Sequence, residues 1–205
     1  MSIHVSPSAV PTVLCELMGK YKSDKGNAEN TARHNYTRYY DALFGPERTQ
    51  VTRMFELGIF GGSSLRAWRD YFPNATIYGA DIDSGSVGCV HGEPRIVSYQ
   101  CDETNADQVA DMWARHARTE PALFDIILDD GLHTPEANSF FLDRAWHMLK
   151  PGGIYIIEDI TSDSHVSAIL GWHGPPYETE THYLKIPHLE DTSDNALLIF
   201  EKPCP

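Results

Sequence analysis

Two short acidic clusters carry most of the chemistry available to this chain. One is Asp129-Asp130-Gly131-Leu132-His133, which follows the nearly all apolar run from Phe124 to Leu128. The other is Glu158-Asp159, which follows Gly153-Ile-Tyr-Ile-Ile157. Such runs read as strands buried on both faces, and in parallel sheets ligands bind beyond the carboxyl ends of the strands. If the two strands are neighbours, about 5 Å apart, four carboxylates and an imidazole converge on one edge. Unpaired, those charges would repel one another. A divalent cation resolves the conflict. Hard oxygen donors suit Mg²⁺, with Mn²⁺ or Ca²⁺ as alternatives. A dication lowers the pKa of a hydroxyl that it binds, and His133 is the natural general base for the proton.

A second constellation lies between Met54 and Asp83. An apolar strand ends at Glu56-Leu-Gly58, a tight turn holds Gly61 and Gly62, and Ser63 or Ser64 is expected to cap the following helix through its side-chain oxygen. Leu65, Trp68 and Phe72 recur at helical spacing. A second strand, from Ile77, ends at Asp81, whose carboxylate can accept from both hydroxyls of a ribose. This is the β-loop-α-β form of a nucleotide-type cofactor site. The spacing Gly58-x-x-Gly61-Gly62 is not the dinucleotide G-x-G-x-x-G. Glu56 before the loop would repel a pyrophosphate and attract a sulfonium, which favours S-adenosylmethionine over NAD. The segment resembles motif I of class I S-adenosylmethionine-dependent methyltransferases, Glu/Asp-x-Gly-x-x-x-Gly, with Glu56, Gly58 and Gly62 in register.

The elements that position these residues alternate strand and helix. Residues 11–21 and 34–44 read as helices, the second with a stripe of Tyr36, Tyr39, Tyr40 and Leu43. That stripe serves either as a core face or as a lid that presents His34 or a tyrosine hydroxyl to the site. Further strands are expected at 95–101, 124–129, 153–157, 182–186 and 196–201, with helices from about Asn105 and from Pro135. The acidic residues Glu190, Asp191 and Asp194 would turn the final pair. Residues 84–94 read as a loop and 160–181 as irregular. The expectation is an α/β, Rossmann-like, seven-stranded, mostly parallel sheet with an antiparallel last strand and helices on both faces. Residues 1–49 would form an N-terminal helical lid or extension and 50–205 the methyltransferase domain.

The Asp129-Asp130-Gly-Leu-His133 and Glu158-Asp159 clusters, with Lys22-Ser-Asp-Lys-Gly26 and His34-Asn-Tyr36 upstream, resemble the metal-dependent sugar O-methyltransferases of macrolide pathways, of mycinamicin type. The resemblance implies that Asp130, Glu158 and Asp159 bind Mg²⁺, that His133 is the base, and that Asp129 lies nearer the cofactor. It also implies an adenine contact from Asp102, which can equally cap the next helix. The implied activity is methylation of a small-molecule hydroxyl, on a sugar or a glycosylated natural product. The chain departs from the family in Leu132, where a small polar residue is common, and is not expected to carry the extra N-terminal domain of some relatives.

Composition narrows the alternatives. A formal charge of −13 over 205 residues argues against a nucleic-acid backbone as substrate, since phosphate binding needs a basic surface. No apolar run reaches the ~20 residues of a membrane span, and the N-terminus lacks a signal-peptide pattern, so a cytoplasmic location is expected. The four cysteines form no C-x-x-C pair and read as reduced structural thiols. His165, His173, His182 and His188 are too scattered to suggest a second metal site. A homo-oligomer is left open. Rival readings are a degenerate cofactor-binding module partnering a biosynthetic protein, a catechol-type O-methyltransferase, a cephalosporin-hydroxylase-like protein and a nicotinamide-dependent oxidoreductase.

Overall fold

A computed structural model describes residues 5, 7–26, 34–119, 122–173, 179–187 and 194–204. The described strands are β1 (Arg53–Leu57), β2 (Thr76–Asp81), β3 (Ile96–Gln100), β4 (Phe124–Asp129), β5 (Leu149–Ile157), β6 (Glu180–Lys185) and β7 (Ala196–Glu201). They form one sheet in the order β3-β2-β1-β4-β5-β7-β6. The first five are parallel, and β7 runs antiparallel to both β5 and β6. This is the expected Rossmann-like sheet.

Both faces of the parallel strands are apolar, so neighbouring residues serve different layers. Met54, Ile126, Leu128 and Ile156 face one core with α1 (Val13–Tyr21), α2 (Thr37–Phe44) and α3 (Ser63–Tyr71). Phe55, Leu57, Ile127, Tyr155 and Ile157 face the other, with α5 (Ala106–Thr119), α6 (Pro135–Ala145) and α7 (Asp163–His173). Helices α1 and α2 therefore share a core with the sheet: Leu14, Met18, Tyr36, Tyr40 and Phe44 are buried against Trp68 and Phe72. No helix among the described residues is long and apolar enough to cross a membrane.

Several elements differ from expectation. The helix after His34 begins only at Thr37, and Tyr36 supplies its N-cap position. Residues 84–89 form a short helix, α4 (Ser84–Cys89), nucleated by the Asp83 carboxylate accepting from Ser86 N at 2.8 Å. Much of the 160–181 stretch is α7, which packs on α6 through buried Ile169. Strand β5 starts at Leu149, paired with Phe124, before the expected residue 153, and the Lys150-Pro-Gly-Gly153 segment is an irregularity within it. Of the acidic turn, Glu190 and Asp191 lie outside the described residues.

Register places the site. Leu57 pairs with Asp129, and Asp129 with Ile157. Gly58, Asp130 and Glu158, each one residue further on, therefore share one edge. Asp130 N donates to Leu57 O at 3.1 Å and Glu158 N to Asp129 O at 3.0 Å, locking the three strand ends together.

Candidate active site

A cavity of about 520 Å³ opens at this edge. Its wall includes Asp130, His133 and Asp159 from the ends of β4 and β5, Gly58, Ser63 and Ser64 around the glycine turn, and Asp81 from β2. The two predicted constellations thus face the same space. Asp130, His133 and Asp159 each bring a ligand atom within 4.8 Å of the others. His133 Nε2 stands 3.8 Å from Asp130 Oδ1 and 3.7 Å from Asp159 Oδ2. Both His133 and Asp159 adopt left-handed backbone, with φ of 56° and 57°. For non-glycine residues this is costly and is maintained where the surroundings over-determine it.

The carboxylates are not left unpaired. Lys25, only 2% exposed, lies at the centre of the cluster. Its ammonium donates to Asp130 Oδ2 at 2.5 Å and to Glu158 Oε2, and sits 3.2 Å from Glu56 Oε1. Tyr40 donates to the other Glu158 oxygen, and Tyr36 donates to Asp159 Oδ1 at 2.7 Å. The tyrosine stripe is therefore both core face and site support. Burial opposes the charge on Lys25, but Asp130, Glu158 and Glu56 outweigh it and hold the ammonium well above its ordinary pKa. Burial pushes Glu158 upward against the pull of Lys25. Both Glu158 oxygens accept hydrogen bonds, the pattern of an ionised carboxylate. Burial and the like charge of Asp130 also raise Asp159.

The glycine turn is held by backbone contacts. Gly62, at φ 74°, occupies the N-cap position of α3, and no side chain caps that helix. The expected serine cap is thus replaced by glycine. Ser63 and Ser64 are instead its first residues and line the cavity. Asp81 Oδ2 accepts from Ile59 N and Phe60 N, both at 2.9 Å, and Oδ1 accepts from Asp83 N. A carboxylate offers about four lone-pair sites, so Asp81 both shapes the loop and keeps capacity toward the cavity. Arg66 ties the turn to α4, donating to Gly61 O and Cys89 O at 2.8 Å.

Other predicted residues sit behind the wall. Asp129 is buried and accepts from Gly131 N, Asn138 Nδ2 and Tyr155 OH. Burial pushes it up to about 6. Glu56, Gly62 and Glu158 do not line the cavity, and neither does Asp102. Asp102 accepts from Thr104 N and Oγ1 at 2.9 and 2.6 Å, a local turn. Its neighbour Glu103 faces the cavity instead. Sequence reasoning misses Glu103 and does not foresee the pairing of Lys25. Only the position of Glu103 just after an expected strand, and the place of Lys25 in a polar motif, hint at either. His182 approaches Glu180 and Glu201 on the β6–β7 edge, while His165 bonds Asn138 Oδ1 in the core. His188 and the His173 side chain lie outside the described residues. The four cysteines are free.

Glu56 gives a pH prediction. Burial pushes it up to about 7 from 4.5, with Lys25 pulling the other way. The folded state then binds the Glu56 proton more tightly than the unfolded chain. This contribution is complete below about pH 4.5 and is lost as pH rises to about 7; the gap corresponds to roughly 3 kcal/mol. Urea unfolding at pH 5, 6, 7 and 8 should show stability declining across this window, and Glu56→Gln should remove that share of the slope. An unchanged slope in the variant would rule out the shift.

The donor set fits a divalent cation. Asp130 and Asp159 present carboxylate oxygens to the cavity beside an imidazole, and hard oxygen ligands suit Mg²⁺. Glu158 is backed by Lys25 and Tyr40, so it can join only through lone pairs these leave. The rim is apolar: Phe60 is 90% exposed, and Ile82 and Leu132 are also exposed.

Comparisons with known proteins bear on family and fold. No family model matches the chain. It is 32% identical over 155 residues to demethylmacrocin O-methyltransferase of Streptomyces fradiae, covering 72% of this chain and 36% of that protein. It is 30% identical over 159 residues to 8-demethyl-8-alpha-L-rhamnosyl tetracenomycin-C 2'-O-methyltransferase of Streptomyces olivaceus, covering 74% of this chain and 40% of that one. The chain thus spans well under half the length of these relatives. Among solved structures, it superposes with a TM-score of 0.69 and 25% identity on MycE methyltransferase from the mycinamycin pathway, in complex with Mg, SAH and mycinamycin VI. That match covers 95% of this chain and 55% of the other. The chain is therefore a relative of the sugar O-methyltransferases of macrolide pathways, built on the class I methyltransferase fold.

Proposed function

We propose that this chain carries the catalytic domain of an S-adenosylmethionine-dependent, divalent-metal-assisted O-methyltransferase acting on a hydroxyl of a sugar or glycosylated natural product. The observation that carries the reading is the shared cavity: the glycine turn and Asp81 line one part, and Asp130, His133 and Asp159 line another. The relatives' names and the Mg and SAH in the solved neighbour support it.

In this reading Asp81 holds the ribose hydroxyls, the backbone from Gly58 to Ser64 receives the amino-acid portion, and Glu103 rather than Asp102 contacts the adenine end. S-adenosylmethionine supplies an electrophilic methyl group, and its loss leaves a neutral thioether. Asp130 and Asp159, with Glu158 behind them, hold the divalent ion, which lowers the pKa of an acceptor hydroxyl. His133 Nε2 faces the same two carboxylates and takes the hydroxyl proton. The buried tyrosines keep Glu158 and Asp159 from swinging, so the site's work is mostly positioning. The exposed Phe60, Ile82 and Leu132 give the mouth an apolar rim suited to a glycoside with an apolar aglycone.

Thermal unfolding tests this directly. S-adenosylhomocysteine at about a hundred times its Kd should stabilise the protein by roughly 2.7 kcal/mol, a shift of several degrees. NAD should give none, and Mg²⁺ should add to the effect where EDTA does not. No response to S-adenosylhomocysteine, or a response to NAD, would sink the reading.

A further inference from the structure

Lys25 has no role in the mechanism above, yet it is an ammonium held almost wholly out of solvent at the working edge. Its backbone is pinned on both sides. Ser23 N donates to Met18 O at 2.9 Å, Lys25 N to Ser23 Oγ at 3.3 Å, and Tyr36 N to Lys25 O at 2.9 Å. The ammonium is thus delivered to a set position, unlike that of a surface lysine free to choose among partners. There it meets Asp130, Glu158 and Glu56, which come from three neighbouring strands.

We propose that Lys25 is a positioning residue that acts as an internal cation: it orients Asp130 and Glu158 and competes with a divalent metal for them, so that it sets the metal affinity of the edge. The inference rests on the metal-assisted reading above. The division of oxygens supports it. Lys25 takes Asp130 Oδ2, and Tyr36 takes Asp159 Oδ1. The oxygens left toward His133 are Asp130 Oδ1 and Asp159 Oδ2. An ammonium and a dication would then share the Asp130 carboxylate, one on each oxygen. At that separation, and at the effective dielectric of such sites, their repulsion is enough to weaken binding by roughly tenfold or more. Removing the ammonium also removes a tether, but Tyr40 still holds Glu158 and Tyr36 still holds Asp159. The charge effect therefore dominates. A lysine that only filled space or stiffened the loop would leave affinity unchanged or weaken it when lost.

The test is a titration of the purified full chain with Mn²⁺, the free ion read by electron paramagnetic resonance, so that no turnover is involved. Lys25→Met should bind Mn²⁺ about tenfold more tightly than the unaltered chain. Because a buried anion cluster without its cation can prevent folding, the pair Glu56→Gln and Lys25→Met/Glu56→Gln provides the second comparison. The double variant removes the ammonium together with one of its partners and should show the same gain over the single. Equal or weaker binding in the lysine variants, with the unaltered chain still binding, would overturn the proposal and leave the metal reading standing. Binding in neither would overturn both. Binding only after Lys25 is removed would support the competition while removing the metal from the native mechanism.

Discussion

Asp130→Ala is expected to lower methyl transfer by about 10³-fold, roughly 4 kcal/mol of lost transition-state stabilisation, while S-adenosylhomocysteine binding stays within a few-fold of normal. Asp130 stands between the two basic groups of the edge. Its Oδ2 holds Lys25, its Oδ1 faces His133 Nε2, and both it and Asp159 reach the cavity. Truncation removes a proposed metal ligand and one of the two carboxylates that face His133. The proposed cofactor contacts lie elsewhere, on the glycine turn and Asp81, which line another part of the cavity. Folding should survive, because Lys25 keeps Glu56 and Glu158 and the mutual repulsion of the carboxylates falls. Turnover is read as S-adenosylhomocysteine release with a panel of glycoside acceptors, and cofactor binding by thermal shift. A variant that kept activity within tenfold would remove Asp130 from the chemistry.

Gly58→Ala should cost about 4 kcal/mol of stability and lower the unfolding midpoint by roughly 10 °C. Gly58 has φ 88°, and a Cβ there would stand 2.1 Å from the carbonyl oxygen of Asp130. The clash is with backbone, so no rotamer change relieves it. Strand β1 would have to part from β4 at the point where both deliver site residues, so cofactor binding should fall with stability. Gly61→Ala is the matched control: a Cβ there would meet nothing within 4 Å, and its stability should change by no more than ~1 kcal/mol. Urea unfolding of the pair separates this clash from a general dislike of side chains in the turn. Equal stability of the two variants would overturn the account.

Much of the scaffold is readable from local pattern. The run from Phe124 to Leu128 is apolar except for the half-buried Asp125 because the rest is buried on both faces, and β4 begins and ends where that run and its terminal aspartate do. Motif spacing around Gly58 identifies the first β-loop-α-β unit for a related reason: only a residue without Cβ survives that approach to Asp130. Where local signals are weak, pattern misleads. Helix α4 has two glycines in six residues and depends on the Asp83 cap. In α7, Gly171 and the prolines beyond it mask Val166, Ile169 and Leu170, which pack against the second core. A serine cap is expected at α3 from residue type alone, but a left-handed glycine already occupies that position.

Local sequence therefore suffices for the carboxyl ends of β2, β4 and β5, the acid-rich edge and the glycine turn, since each is encoded by neighbours a few residues apart through burial periodicity and backbone sterics. How the charge is shared depends on contacts between distant parts of the chain. Lys25 lies 105 residues from Asp130 and 133 from Glu158 in the chain, and the tyrosines that hold Glu158 and Asp159 are similarly distant. The fold likewise turns Glu103, not Asp102, to the cavity, because one residue of register after β3 turns a side chain from the site into a local turn. Charges attract by distance in space, and no pattern along the chain records which ammonium a fold will bring to which carboxylate.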